Sequence, residues 1–163
     1  MNIPILALLL QGIPELIAVV TLSFVIARIP LNWKQIVEFA LILAFFSYLI
    51  RLTPLPFGLH IILLIILLSS MLIKISNGNL SLSLIACIVS YMTLGILELA
   101  SLSLLMPVFH LTTTEIYTNE WIRILVGEPH VILLFIFAFL LNRFLAERRK
   151  NHGFSSDKSG NCQ

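Results

Sequence analysis

Charge is scarce in this 163-residue chain: Asp, Glu, Lys and Arg together make 11% of it, and the single aspartate, Asp157, lies in the polar tail. Ordinary soluble domains carry about 25% charged residues, so a water-soluble core is not the expectation here. Cysteine is nearly absent too, with Cys87 in an apolar run and Cys162 near the end. Two such positions exclude a disulfide framework and any C-x-x-C metal site. No H-E-x-x-H, G-x-S-x-G or Walker pattern occurs, and the four histidines lack metal-ligand spacing. With no aspartate in an apolar run, aspartic-type intramembrane proteolysis is also set aside. The chain is expected to be non-catalytic and to carry no cofactor or metal.

What the chain has instead is long apolar blocks: 59% of its residues are hydrophobic and the mean hydropathy is +1.04. About 20 consecutive apolar residues cross a bilayer as a helix, which satisfies its own backbone hydrogen bonds. The expected fold is therefore all-α, a polytopic integral membrane helical bundle of about five transmembrane helices over residues 1–147, followed by a polar tail, 148–163. The formal charge of +2 sits mainly at segment ends. It reads as a topology signal and not as a nucleic-acid patch.

Segment one runs from about Ile3 to Ala27 and is interrupted by Gln11-Gly12-Ile13-Pro14-Glu15. Proline removes a helix hydrogen bond, so this stretch is either one helix kinked near Pro14 or a re-entrant lead-in with a helix starting there. Its start has no basic flank and its end no A-x-A site, so it is expected to stay as an anchor. Segments two and three run from about Trp33 to Ile50 and from Phe57 to Ile75, parted by the turn-like Thr53-Pro54-Leu55-Pro56. Segment four, Leu80 to about Met106, exceeds a minimal crossing and must tilt, bend near Gly95 or emerge. In the link that follows, Thr112-Thr113-Thr114-Glu115 reads either as a capped start for an interfacial helix or as part of a solvated loop. Segment five runs from about Val131 to Leu145 and ends in Arg143, Arg148, Arg149 and Lys150.

Placing that basic end in the cytoplasm also puts Arg28, Lys34 and Lys74 inside, and leaves Arg51 and Arg123 outside. This positive-inside bias predicts a multi-pass protein of the plasma membrane with its amino terminus outside and its carboxyl terminus cytoplasmic. Gly12-Ile13-Pro14-Glu15 leading to Arg28 is echoed by Gly127-Glu128-Pro129-His130 leading to Arg143. The echo makes the first and last segments run the same way, although turn residues and basic ends recur in membrane helices without any duplication.

Ionisable groups inside apolar runs are costly and so mark function by default. Helical rise puts Glu15 roughly 20 Å above Arg28, and Glu98 roughly 12 Å below Met106. In a hydrocarbon core of about 30 Å both fall in the outer half. Arg51 and His60 flank the second turn on that side, and Glu128 and His130 open segment five. Glu15, Arg51, His60, Glu98, Glu128 and His130 are therefore the candidate ligand-binding set, with the arginine holding carboxylates charged or gripping a ligand. The plainer account is an Arg51–Glu pair that only joins helices. Glu38, four residues after Lys34, reads as half of a surface pair.

Three short stretches carry a resemblance: Gln11-Gly12-Ile13-Pro14-Glu15, Arg51-Leu52-Thr53-Pro54-Leu55-Pro56-Phe57-Gly58-Leu59-His60, and Gly127-Glu128-Pro129. Together they resemble the amino-terminal membrane sensor region of peptide-pheromone histidine kinases of Gram-positive bacteria, the accessory-gene-regulator type, over most of residues 1–147. The resemblance implies a bundle that binds an extracellular cyclic peptide and signals to a cytoplasmic kinase. The chain departs from that pattern after Lys150, where no dimerisation helix, phospho-acceptor domain or ATP-binding domain follows. The expectation is a receptor-like or accessory membrane protein of bacterial peptide signalling, working with a separate histidine kinase or peptide-processing protein. A small transporter or substrate-capture subunit is the competing reading, and a ligand-free assembly factor a third.

Overall fold

The computed structural model describes residues 11–52, 57–76, 78–108, 129–145 and 147, and for 51–52, 57–58 and 107–108 the backbone alone. Within these residues the protein is all-α, with five helices and no strand. They are α1 (Ile13–Ile26), α2 (Trp33–Leu52), α3 (Phe57–Ile75), α4 (Leu80–Val108) and α5 (Pro129–Leu145). The expected re-entrant lead-in before Gln11 and the expected interfacial helix after Thr112 lie outside the described residues, as does the tail.

Pro14 stands in the first turn of α1. Proline's fixed φ and missing N–H are tolerated at that position. Gln11 and Gly12 lead into it as a wider helical turn, with Gly12 at φ −67 and ψ −40. The other end closes as a Schellman turn: the Ile29 N–H reaches the Phe24 carbonyl at 3.0 Å and the Arg28 N–H that of Val25 at 3.1 Å. The residue such a turn sets in the left-handed conformation is usually glycine. Here it is Arg28, at φ 59. Asn32 then caps α2, its Oδ1 accepting the Lys34 N–H at 3.2 Å. Gly78, at φ 83, supplies the left-handed turn between α3 and α4. α4 continues unbroken through Gly95.

α1 packs against α2 and α4, and α3 packs against α2 and α4 in turn. α5 closes on α1 and α2: Phe139 stacks at 6.2 Å from Trp33, and Asn142 shares a cavity with Arg28. The ends of α1 and α5 that carry Arg28 and Asn142 therefore lie together, so the two helices run the same way. Every side chain from Ala18 to Val25 is buried. A helix buried all round belongs at the centre of a bundle, and Phe24 meets Phe39 of α2 edge-on there, 5.8 Å between ring centres.

The other helices bury one stripe each. On α2 it is Ile36, Ala40, Leu43, Ala44 and Ser47; on α3, Leu64, Leu68 and Leu72; on α5, Val131, Leu134 and Ala138. These spacings of three and four keep one face inward. The stripe of α4 is small and polar: Ser83, Ala86, Cys87 and Ser90 are buried, with Tyr91 and Leu94 above them. Small residues let two helix backbones approach closely. The outward faces are apolar instead, with Phe45, Ile66, Ile96, Leu99 and Leu140 each well exposed.

Two helices, at Trp33–Ile50 and Leu80–Met106, are long and apolar enough to cross a membrane. The apolar stretches Ile13–Ile26, Leu59–Ile75 and Pro129–Leu145 are shorter. At 14 residues α1 spans only about 21 Å.

Candidate functional site

Glu15 stands in the first turn of α1, one residue after Pro14. The first turn of a helix favours a carboxylate. The side chain is half-buried and near enough to Tyr91 of α4 to interact with it electrostatically. Tyr91 is 8% exposed. Its hydroxyl and that of Ser83 are buried without a hydrogen-bond partner. A buried hydroxyl left unpaired costs about 1–3 kcal/mol, so the Tyr91 hydroxyl is a donor held ready beside an acid.

One turn below Tyr91, the buried Cys87 thiol lies near Ser23 of α1. The Ser23 hydroxyl donates back to the Val19 carbonyl at 2.9 Å, as Thr21 does to Ile17 at 2.7 Å. Ser90 likewise donates to Ala86 at 2.8 Å. Small polar groups, Ser23 on α1 and Ser83, Cys87 and Ser90 on α4, are thus buried in the helices that carry Glu15 and Tyr91. Sequence reasoning missed Tyr91, because a lone tyrosine in an apolar helix reads as filler. The available signal was the register of Ser83, Cys87, Ser90 and Tyr91, which share one face of α4.

The six residues expected to line a site are placed differently from one another. His60 lies in the first turns of α3, half-buried, with Nε2 3.1 Å from the Ser47 hydroxyl of α2. His130, at the start of α5, is 3% exposed. Glu15, His60 and His130 are therefore built into the bundle. Glu98 is exposed. It lies two turns beyond Tyr91 on the same side of α4. Arg51 ends α2 in backbone, its side chain not among those described, and Glu128 falls outside the described residues.

Among the described residues no three His, Cys, Asp or Glu side chains gather as a metal site. Lys34 and Glu38 share an exposed face of α2, and the ion pair found among the described residues is Arg143–Glu147, at 3.5 Å on the surface of the last turn. Exposed pairs of that kind contribute about 0–1 kcal/mol. The arrangement at α1–α4 can offer a ligand one carboxylate and one phenol hydroxyl, set among apolar walls. Compared with protein-family models, with curated proteins and with solved structures, the chain has no match.

Proposed function

We propose that the chain is a receptor-like or accessory component of bacterial peptide signalling, held in the plasma membrane by five crossings, with its amino terminus outside and its carboxyl terminus in the cytoplasm. The observation that carries the reading is Glu15 beside the buried, unpartnered hydroxyl of Tyr91. Around that pair Ser, Thr and Cys side chains are buried among apolar ones, and further large apolar side chains face outward. An apolar exterior on this scale suits lipid or partner helices. Glu15 would accept from a peptide amide or ammonium, and Tyr91 would donate to a peptide carbonyl. His60, His130, Arg51 and Glu128 would complete the rim.

Glu98 suits the accessory side of this reading. Exposed between the outward Ile96 and Leu99, it is placed to meet a basic group on a partner such as a separate histidine kinase or peptide-processing protein. A charge left facing hydrocarbon alone would be costly.

Photoreactive cyclic peptides added to the outside of membrane vesicles test the proposal. Labelling should map to the start of α1 and the upper half of α4, and Glu15→Gln or Tyr91→Phe should weaken it about tenfold, the scale of one charge-assisted hydrogen bond. Labelling unchanged in both variants overturns the site. Reporter fusions in each link test the five crossings separately.

A further inference from the structure

A cavity of about 320 Å³ opens at the opposite end of α1 from Glu15, where the ends of α1 and α5 meet. Val25, Ile29, Leu31 and Leu145 form its walls, and Arg28 and Asn142 bring the polar atoms. That volume is at the small end for ligand pockets, enough for one charged headgroup. Arg28 offers five N–H donors in a planar fork, and the Asn142 amide adds two more. No carboxylate lines the cavity, and among the described residues none forms an ion pair with Arg28. The carbonyls of Ser23, Phe24 and Val25 near the end of α1 are each taken by an N–H of the closing turn.

The backbone reinforces the case. Arg28 holds a left-handed conformation that costs a residue with a side chain roughly 1–2 kcal/mol and costs glycine almost nothing. The chain keeps a guanidinium where the turn alone would favour glycine.

We infer that this cavity binds a phosphate group, gripped by Arg28 and Asn142 at the basic end of the bundle. Its chemistry fits the headgroup of an anionic phospholipid, whose acyl chains would follow the exposed apolar side of α5 at Leu140 and Phe144; a free phosphate ion shares the same donors. Guanidinium forks match phosphate oxygens in pairs. The lipid source rests on the membrane reading proposed above.

Trp33, two residues beyond Leu31, reports on the site. In a Trp121→Phe background it is the chain's remaining tryptophan. The full chain in lipid nanodiscs is titrated with brominated phosphatidylglycerol or brominated phosphatidylcholine, with and without inorganic phosphate. The anionic lipid should quench Trp33 with a preference of roughly fivefold, the weight of one basic group near a membrane surface. Arg28→Gln and Arg28→Gly should both abolish the preference. Glycine suits the turn better than arginine, so its loss of preference cannot come from misfolding. Preference that survives inorganic phosphate assigns the lipid headgroup; no lipid preference, with a phosphate-induced Trp33 shift lost in Arg28→Gln, assigns the free ion. Equal quenching by both lipids with no phosphate response overturns the cavity site and leaves the membrane reading standing. Absence of quenching by either lipid sinks the membrane reading, and the phosphate response then decides the cavity on its own.

Discussion

The hydroxyl of Ser47 and Nε2 of His60 lie 3.1 Å apart and tie the last turns of α2 to the first of α3. Ser47 is 4% exposed, so little water competes for the contact. Interhelical hydrogen bonds of this type contribute about 0.6 kcal/mol on average in membrane proteins and up to roughly 1.7. Ser47→Ala should therefore lower stability by about 1 kcal/mol. A double-mutant cycle with His60→Ala, read by detergent-driven unfolding in mixed micelles, should give a coupling of at least about 0.5 kcal/mol. Additive single effects would reject the bond.

Tyr91→Phe separates packing from polarity at the α1–α4 seam. Removing a hydroxyl that has no partner should leave stability unchanged or raise it by about 1 kcal/mol, whereas Tyr91→Ala should cost roughly 3–5 kcal/mol through the void it opens. The same unfolding assay reads both. A phenylalanine variant clearly weaker than the parent would mean the hydroxyl is bonded after all.

Two glycines should respond to alanine with opposite signs. Gly78 holds φ +83, and a Cβ there would touch nothing within 4 Å. Its substitution costs about 1 kcal/mol from backbone conformation alone. Gly95, inside α4, has ordinary helical geometry, and a methyl added there would also meet nothing within 4 Å. Gly95→Ala should raise stability by about 0.5–1 kcal/mol. Loss of stability at Gly95 would point to a close neighbour on that face.

Cys87 is fully buried in the same seam. In a Cys162→Ser background a maleimide should leave the folded protein unmodified and label it only on unfolding, followed by intact-mass spectrometry. Prompt labelling of the folded form would show that α1 and α4 part readily.

Much of the helix layout is legible in residue order. The apolar run that predicts a helix over 57–75 forms α3 at Phe57–Ile75. α2 and α5 each run two residues past the expected edge, to Leu52 and from Pro129, as helix ends commonly do. Which helix sits in the middle is not legible. Residues 13–26 are apolar on nearly every side, and that composition serves a lipid-facing helix as well as a central one. The site is half legible for a related reason. Glu15 stands out as a carboxylate in an apolar run, but Tyr91 becomes visible only when α4 is seen to press its small polar stripe against α1. Glu98 shares that side of α4 yet is exposed, and no spacing within α4 carries that information.

The enclosure of α1 has a consequence for biogenesis. Its residues 18–25 are buried in a bundle where α1 packs against α2 and α4, although α1 leaves the ribosome before either of them. On the membrane reading proposed above, a helix bearing a carboxylate must wait in the bilayer until then. Nascent chains arrested before α4 should therefore be the ones that quality-control proteases clear, and a chaperone or insertase that shields one helix would speed maturation more than one that pulls on the tail.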